Sequence, residues 1–251
     1  MLRQIWKQTF AGMKSTGKIY LIPAPLGEDA PFSVPLEVIE ILHRLDHLVV
    51  EKAKTARHFI KRTNPPKPLN TFVINELNEH TPASELPALL QPALDGNDLG
   101  LLSEAGCPGV ADPGAGLVEL AHEKGVEVVP LVGASSILLA LMASGMNGQR
   151  FSFHGYLAAK PDALARDLKK LEQLSGRENQ TQIFIETPYR NRQVFEQALR
   201  TLQSDTLFCI ACDLTLPSQF IATKKISAWQ KAPPPDLQKR PTVFLIYGRK
   251  H

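Results

Sequence analysis

Leu99–Leu117 reads LGLLSEAGCPGVADPGAGL, and three kinds of residue follow one another in it. The apolar run from Leu99 to Ser103 predicts a strand, a loop of glycines, prolines and acids comes next, and Leu117 to Lys124 returns to a helical spacing. The glycines of the loop let backbone approach a ligand closely, and Pro108 and Pro113 stiffen it. Loops of this kind at the carboxyl end of a parallel strand are where α/β sheets bind small molecules. The same residues also suit an ordinary strand-to-helix turn, with Asp112 capping the helix and Pro113 at its first position.

On the N-terminal side of this stretch the same unit recurs. Lys18 to Ile22 predicts a strand closed by Pro23-Ala24-Pro25-Leu26-Gly27, and Ser33 is placed to cap a helix through Val38, Ile41, Leu42 and Leu45. His47 to Val50 predicts a second strand ending at Glu51, and Lys52 to Arg62 a helix. Phe72 to Ile74 is a third strand, followed by the polar run Asn75 to His80 and a helix over Ala83 to Leu94. On the C-terminal side Gly125 ends a helix, Val126 to Val132 is a strand stopped by Gly133, and Ala134 to Gly145 is apolar on nearly every face. That last pattern predicts a helix buried against the sheet. Regular alternation of strand and helix predicts a parallel sheet covered on both sides.

Residues 146–150 are the expected domain boundary. Beyond them Phe151 to His154 predicts a strand and Pro161 to Leu174 an amphipathic helix with Arg166, Lys169 and Lys170 outward. A strand from Thr181 to Ile185, a helix through Val194, Phe195, Ala198 and Leu202, and a strand from Thr206 to Cys212 follow. The alternation then breaks, and Ser218 to Thr223 and Thr242 to Tyr247, with a short helix near Trp229 between them, predict strands in mixed orientation. The expected fold is α/β: a tail over 1–17, with Ile5, Trp6 and Phe10 at loosely helical spacing, a mostly parallel α/β domain over 18–146, and a mixed-sheet α/β domain over 150–251.

Composition narrows the function classes. At 251 residues with 43% hydrophobic content the chain can bury a core of its own, and no apolar run reaches the roughly 18 residues of a membrane span. A net charge of +3 is too small to argue nucleic-acid binding from the total. The N-terminus lacks the apolar segment of a signal peptide, and three cysteines fit a reducing compartment, so a cytoplasmic location is expected. Cys209 and Cys212 form a C-x-x-C within a predicted strand, where the two sulfurs face opposite sides and make a poor chelate, so no metal is expected.

The sequence contains neither a phosphate-binding G-x-x-x-x-G-K-[ST] nor a G-x-S-x-G or H-E-x-x-H, and the first loop is too poor in glycine for a dinucleotide fingerprint. What remains is a cleft lined by three loops at one sheet edge, Pro25 to Asp29, Glu104 to Gly114 and Gly133 to Ser136, suited to an uncharged heterocycle and a ribose.

Several stretches together resemble the tetrapyrrole methylase superfamily of S-adenosylmethionine-dependent methyltransferases, and most closely its branch acting on small-subunit ribosomal RNA. KIYLIPAPLGED resembles the branch's opening strand and loop, LLSEAGCPGVADPG its S-D-A-G-T-P-G-x-x-D-P-G loop, and VVPLVGASSILLALMASG its P-G-A-S-A helix start. FSFHGYL and IFIETPYR resemble its F-x-x-E-G-F-L and F-Y-E-S-P-H-R segments. The resemblance implies two α/β domains with S-adenosylmethionine in the cleft between them, a homodimer, and a cytidine ribose 2′-hydroxyl as acceptor. By position it assigns Leu26, Glu104, Cys107, Val110, Ser135, Ser136 and Glu186 to cofactor binding. The chain departs from the branch at Glu51-Lys52-Ala53-Lys54, where relatives have E-D-T-R, at Glu104 for the loop Asp, and at Val132 for Pro; it also ends at His251, before the helical extension many relatives carry.

A ribose hydroxyl is a weak nucleophile, so a base or a cation beside the alkoxide is needed. Glu51, Lys54, Asn78, Glu79 and Tyr189 are the candidates. Lys52, Lys54, Arg57, Lys61 and Arg62 share one helix length, which fits either an RNA footprint or a solvated basic face. A tetrapyrrole or other small-molecule acceptor, and a non-catalytic cofactor-binding or RNA-binding role, are the other readings.

Overall fold

The computed structural model describes residues 15–27 and 33–248, so the expected helix around Ile5, Trp6 and Phe10 and the loop residues Glu28 and Asp29 lie outside the described residues. The chain divides into two compact units between Ala134 and Ser135, with Leu26 and Gly27 joining the second.

The first unit is built on β1 (Lys18–Ile22), β2 (His47–Val50), β3 (Val73–Glu76), β4 (Leu99–Leu102) and β5 (Glu127–Pro130), all parallel, in the order β3-β2-β4-β1-β5. Helices α1 (Leu36–Arg44) and α2 (Ala53–Arg62) cover one face, where Val38, Leu42, Phe59 and Ile60 pack on Tyr20, Ile22, Leu48 and Val50. Helices α3 (Leu86–Leu94) and α4 (Ala115–Glu123) cover the other, where Leu90, Ala93, Leu117 and Ala121 pack on Ile19, Val49, Leu99 and Leu101. Burial from both sides explains why β4 is apolar at every position rather than alternating. Gly100 is required there, because a Cβ would lie 2.6 Å from Leu48 and 2.8 Å from Ile22.

Strand order fixes where a ligand would meet this sheet. β2 and β4 are neighbours, but the chain leaves β2 through α2 toward β3 and leaves β4 through α4 toward β5 on the opposite side. Their carboxyl ends therefore flank a topological switch point, the place where open α/β sheets bind ligands.

The second unit carries β6 (Phe151–Tyr156), β7 (Thr181–Glu186), β8 (Leu207–Cys212), β9 (Phe220–Lys225) and β10 (Thr242–Tyr247) in the order β6-β7-β10-β8-β9. β6 runs parallel to β7 and the other pairs are antiparallel, the mixed sheet expected from the broken alternation. On one face α6 (Pro161–Glu178), α7 (Asn191–Thr201) and α8 (Ile226–Trp229) bury Leu168, Phe195 and Trp229 against a row of stacked rings, Phe184, Phe244 and Phe208, with centroids 5.4 and 5.7 Å apart. Its other face receives α5 (Ser136–Ser144) through Ala140 and Leu141. Cys209 packs in this second cluster and Cys212 in the first, so the two free thiols sit on opposite faces of β8, both buried.

Three expectations are corrected here. The units part at Ala134, not within 146–150, because α5 packs on Ile183, Ala211 and Val243 of the second sheet and belongs with it. That helix is not buried all round: Leu138 is 50% and Met142 79% exposed, since a single sheet face covers only one side of it. Ser33 does not cap α1, which starts after Pro35; the residue before a proline is held extended, and this moves the helix start past Val34.

Candidate active site

At the switch point the end of β2 meets the loop after β4. Lys52 Nζ donates to Glu104 Oε2 at 2.8 Å and Thr55 Oγ1 donates to Glu104 Oε1 at 3.0 Å, so both oxygens of the loop carboxylate are tied to the start of α2. Lys52 and Glu104 are both departures from the branch's pattern, and here they are partners. Glu51 sits beside them, half-buried. Burial first, then the Glu104 and Asp112 carboxylates, push its carboxyl above the usual carboxylate range, against the opposing pull of Lys52 and a hydrogen bond from the Glu104 backbone N–H. Glu76, at the end of β3, caps α2 by accepting from Ala53 N–H at 2.7 Å.

The loop itself is tightly held. Ala24 and Gly106 exchange backbone hydrogen bonds of 2.9 and 3.1 Å, joining it to the end of β1. Asp112 does not cap α4, which begins after Gly114; its Oδ1 accepts from Gly109 N–H at 3.0 Å and Gly114 N–H at 2.7 Å and closes the turn between them. Val110, at the tip, is 49% exposed. Cys107 Sγ donates to Ala134 O at 3.4 Å, and burial raises its thiol above the ordinary value, which makes it a lining residue and a poor nucleophile. Beside Ala134, Gly133 lies so close to Pro23 that a Cβ would be 2.2 Å from the ring.

In the second unit Ser135 is the N-cap of α5, its Oγ accepting from Leu138 N–H at 3.4 Å. The N–H groups of Ser136 and Ile137 have no intrahelical acceptor at that terminus, as in any first turn. Leu26 packs partly buried in the α5 cluster with Ile137 and Leu214.

One stretch of this unit escaped the sequence reading. In the loop after β8, Thr215 has φ +72° and Asp213 φ +49°; a positive φ is unusual for a β-branched residue, and strain of this kind gathers at functional sites. The loop is pinned by Asp213 Oδ2, which accepts from Arg240 Nε at 2.8 Å and Ser218 Oγ at 2.7 Å. Thr215 Oγ1 is buried without a hydrogen-bond partner. Nothing in Leu214-Thr215-Leu216-Pro217 marks it, since none of these residue types favours a positive φ.

The remaining candidates are not drawn into these groups. Glu79 is exposed, within 3.6 Å of His80, and Asn78 shapes its own turn by accepting from His80 N–H at 2.9 Å. Lys54 is exposed on α2, and Tyr189 is 77% exposed. Glu186 is buried, with Oε1 accepting from Thr187 N–H at 2.7 Å and Oε2 paired with Arg190 at 3.1 Å, so its carboxylate serves the β7–α7 turn.

Comparison with known proteins agrees with the two α/β sheets. Residues 18–229 match the family model described as Tetrapyrrole (Corrin/Porphyrin) Methylases. The chain is 29% identical over 97% of its length to a protein of Escherichia coli O157:H7 named Ribosomal RNA small subunit methyltransferase I, covering 82% of that protein. A relative of the same name from Vibrio cholerae is 30% identical, with 92% of this chain and 77% of that protein covered. Among solved structures, the methyltransferase CobJ superposes with a TM-score of 0.62 at 20% identity over 93% of this chain and 95% of that one. Uroporphyrin-III C-methyl transferase from Thermus thermophilus, solved with S-adenosyl homocysteine, gives 0.55 at 16% identity over 92% and 97%. At such identities the two structures speak for the fold. With residues 18–229 matched by the family model, the chain belongs to the tetrapyrrole methylase family and is an S-adenosylmethionine-dependent methyltransferase.

Proposed function

We propose that the protein methylates a ribose 2′-hydroxyl of small-subunit ribosomal RNA. The observation that carries this reading is the match over 97% of the chain to a protein named for that substrate. The residues present in each unit fit the donor: the first unit offers a rigid glycine-containing loop, and the second a serine-capped helix start with free N–H groups and an orphaned buried hydroxyl at Thr215. Leu26, Cys107, Val110, Ser135 and Ser136 would hold it, with Thr215 added to them. When bound, S-adenosylmethionine supplies a methyl group already activated on a sulfonium. The protein's task is then placement of the acceptor and removal of its proton. Glu51 takes the proton of the ribose hydroxyl; its raised proton affinity brings it closer to that task than an exposed carboxylate would be. Lys52, fixed by Glu104, keeps a positive charge beside the developing alkoxide.

A homodimer is proposed on the exposure of Leu138 and Met142, one turn apart on α5, which a second copy would cover. A cytoplasmic setting is supported by three free cysteines. No helix among the described residues is long and apolar enough to cross a membrane.

Calorimetry tests the donor site directly. S-adenosylmethionine and S-adenosylhomocysteine are expected to bind, and NADH and ATP not to. Ser135→Leu removes the hydroxyl and the cap, and is expected to weaken donor binding at least about tenfold. Loss of the cap costs only about 1 kcal/mol, so the variant stays folded. Undiminished affinity in folded Ser135→Leu would place the donor elsewhere.

A further inference from the structure

We propose that the exposed face of α2 is an RNA-backbone contact surface, a basic ridge that holds the phosphates flanking the acceptor ribose. This deepens the ribosomal RNA reading and rests on it. The helix, AKTARHFIKR, carries no acidic residue. Lys54, Arg57, His58, Lys61 and Arg62 fall at i, i+3, i+4, i+7 and i+8, a single stripe opposite the buried Ala56, Phe59 and Ile60. All five are exposed. Lys54 to Lys61 span about 10 Å along the axis.

Two features separate this stripe from an ordinary solvated face. The first is its cost to the helix. Lys54 lies in the first turn, where the helix dipole disfavours a cation, and the pairs Lys54–Arg57 and Arg57–Lys61 bring cations together at spacings where like charges repel. Of the acids near this helix start, Glu76 is engaged on the Ala53 N–H and Glu104 on Lys52 and Thr55, and among the described residues Lys54, Arg57 and Lys61 enter no ion pair. The long helix α6 shows the contrast, mixing Asp162, Asp167, Glu172 and Glu178 with Arg166, Lys169, Lys170 and Arg177. The second feature is position. α2 starts one residue after Glu51 and Lys52, so the ridge leads away from the switch point itself. A linear polyanion whose ribose reaches Glu51 can lay its phosphates along it, whereas a tetrapyrrole has no phosphates to offer.

The test compares wild type, Arg57→Ala with Lys61→Ala, and a control, Lys169→Ala with Lys170→Ala, for binding to purified small ribosomal subunits over a range of potassium chloride concentrations. Loss of two phosphate contacts flattens the log–log salt slope by about 1.4 on single-stranded and about 1.8 on duplex RNA. The α2 variant is expected to show that change, with S-adenosylmethionine affinity unchanged and a thermal midpoint no lower than wild type, because the repulsion is relieved. The control is expected to keep the wild-type slope. Equal slopes for the α2 variant and wild type, in a wild type that methylates the subunit RNA, would overturn the ridge and leave the function standing. An equal flattening in the control would overturn it as general electrostatics. Loss of binding to phosphatidylglycerol vesicles with an unchanged RNA slope would assign the ridge to a membrane and overturn it likewise. Failure of wild type both to bind and to methylate the subunit would overturn the ribosomal RNA reading, and the ridge with it.

Discussion

Glu51→Gln is expected to lower methyl transfer by about 10²–10⁴-fold, the range for loss of a general base, while donor binding changes little. The amide keeps the shape and the hydrogen bond from the Glu104 N–H but cannot accept the hydroxyl proton. The same substitution is expected to stabilise the fold at neutral pH. Glu51's carboxyl has a higher pKa in the folded chain than when unfolded, because burial and the Glu104 and Asp112 carboxylates disfavour its charge. What the protonated carboxyl contributes to stability is thus full below the unfolded pKa and is lost as pH rises through the folded one. Glutamine mimics the protonated form at every pH, so denaturation midpoints of the two proteins should converge in acid and separate in favour of the variant toward neutrality. The wild-type rate should rise with pH as Glu51 ionises. A Glu51→Gln enzyme that keeps its rate would remove Glu51 from the chemistry, whatever its stability.

Gly133→Ala is the second large effect. An alanine Cβ there would lie 2.2 Å from Pro23 Cβ and Cγ, atoms of a ring that cannot swing aside. The loops after β1 and β5 must move apart, and forced repacking of this kind costs about 1–3 kcal/mol. Because Ser135 follows two residues later and Cys107 donates to Ala134 O, the expected outcome includes donor binding weakened by more than about tenfold as well as a lower unfolding midpoint. Gly148→Ala is the control: nothing lies within 4 Å of a Cβ at that position, and no change in either measurement is expected. A Gly133→Ala protein with wild-type midpoint and affinity would mean that this close approach does not shape the site.

What the sequence made legible follows from what it repeats. β1 at Lys18–Ile22 and β2 at His47–Val50 fall where their apolar runs put them, because strands buried on both faces leave continuous hydrophobic signals bounded by proline or charge. Gly125, with φ +70°, closes α4 as its position predicted. The division between units was not legible at α5, since an apolar helix does not say which of two sheets it will cover; that depends on Ala140 and Leu141 meeting Ile183 and Val243, residues 40 and more positions away. The Lys52–Glu104 pair was equally hidden. Each residue read alone was a departure from the branch, and only a contact across 52 positions makes them one feature. Glu186 is the opposite case, for its partner Arg190 lies only four positions away and the contact is local in the sequence. Thr215 could not have been found, because its residue type gives no sign of the positive φ it adopts in the loop that Asp213, Ser218 and Arg240 pin.

The central claim is the transfer of a methyl group from S-adenosylmethionine to a ribose of small-subunit RNA. It is tested most directly by incubating the purified protein with methyl-labelled S-adenosylmethionine and small ribosomal subunits lacking ribose methylation, then mapping the label. The account predicts label on the 2′-oxygen of a defined nucleotide, at a rate that falls in Glu51→Gln. Donor binding without label in the RNA, or label transferred instead to a tetrapyrrole offered in parallel, would contradict it.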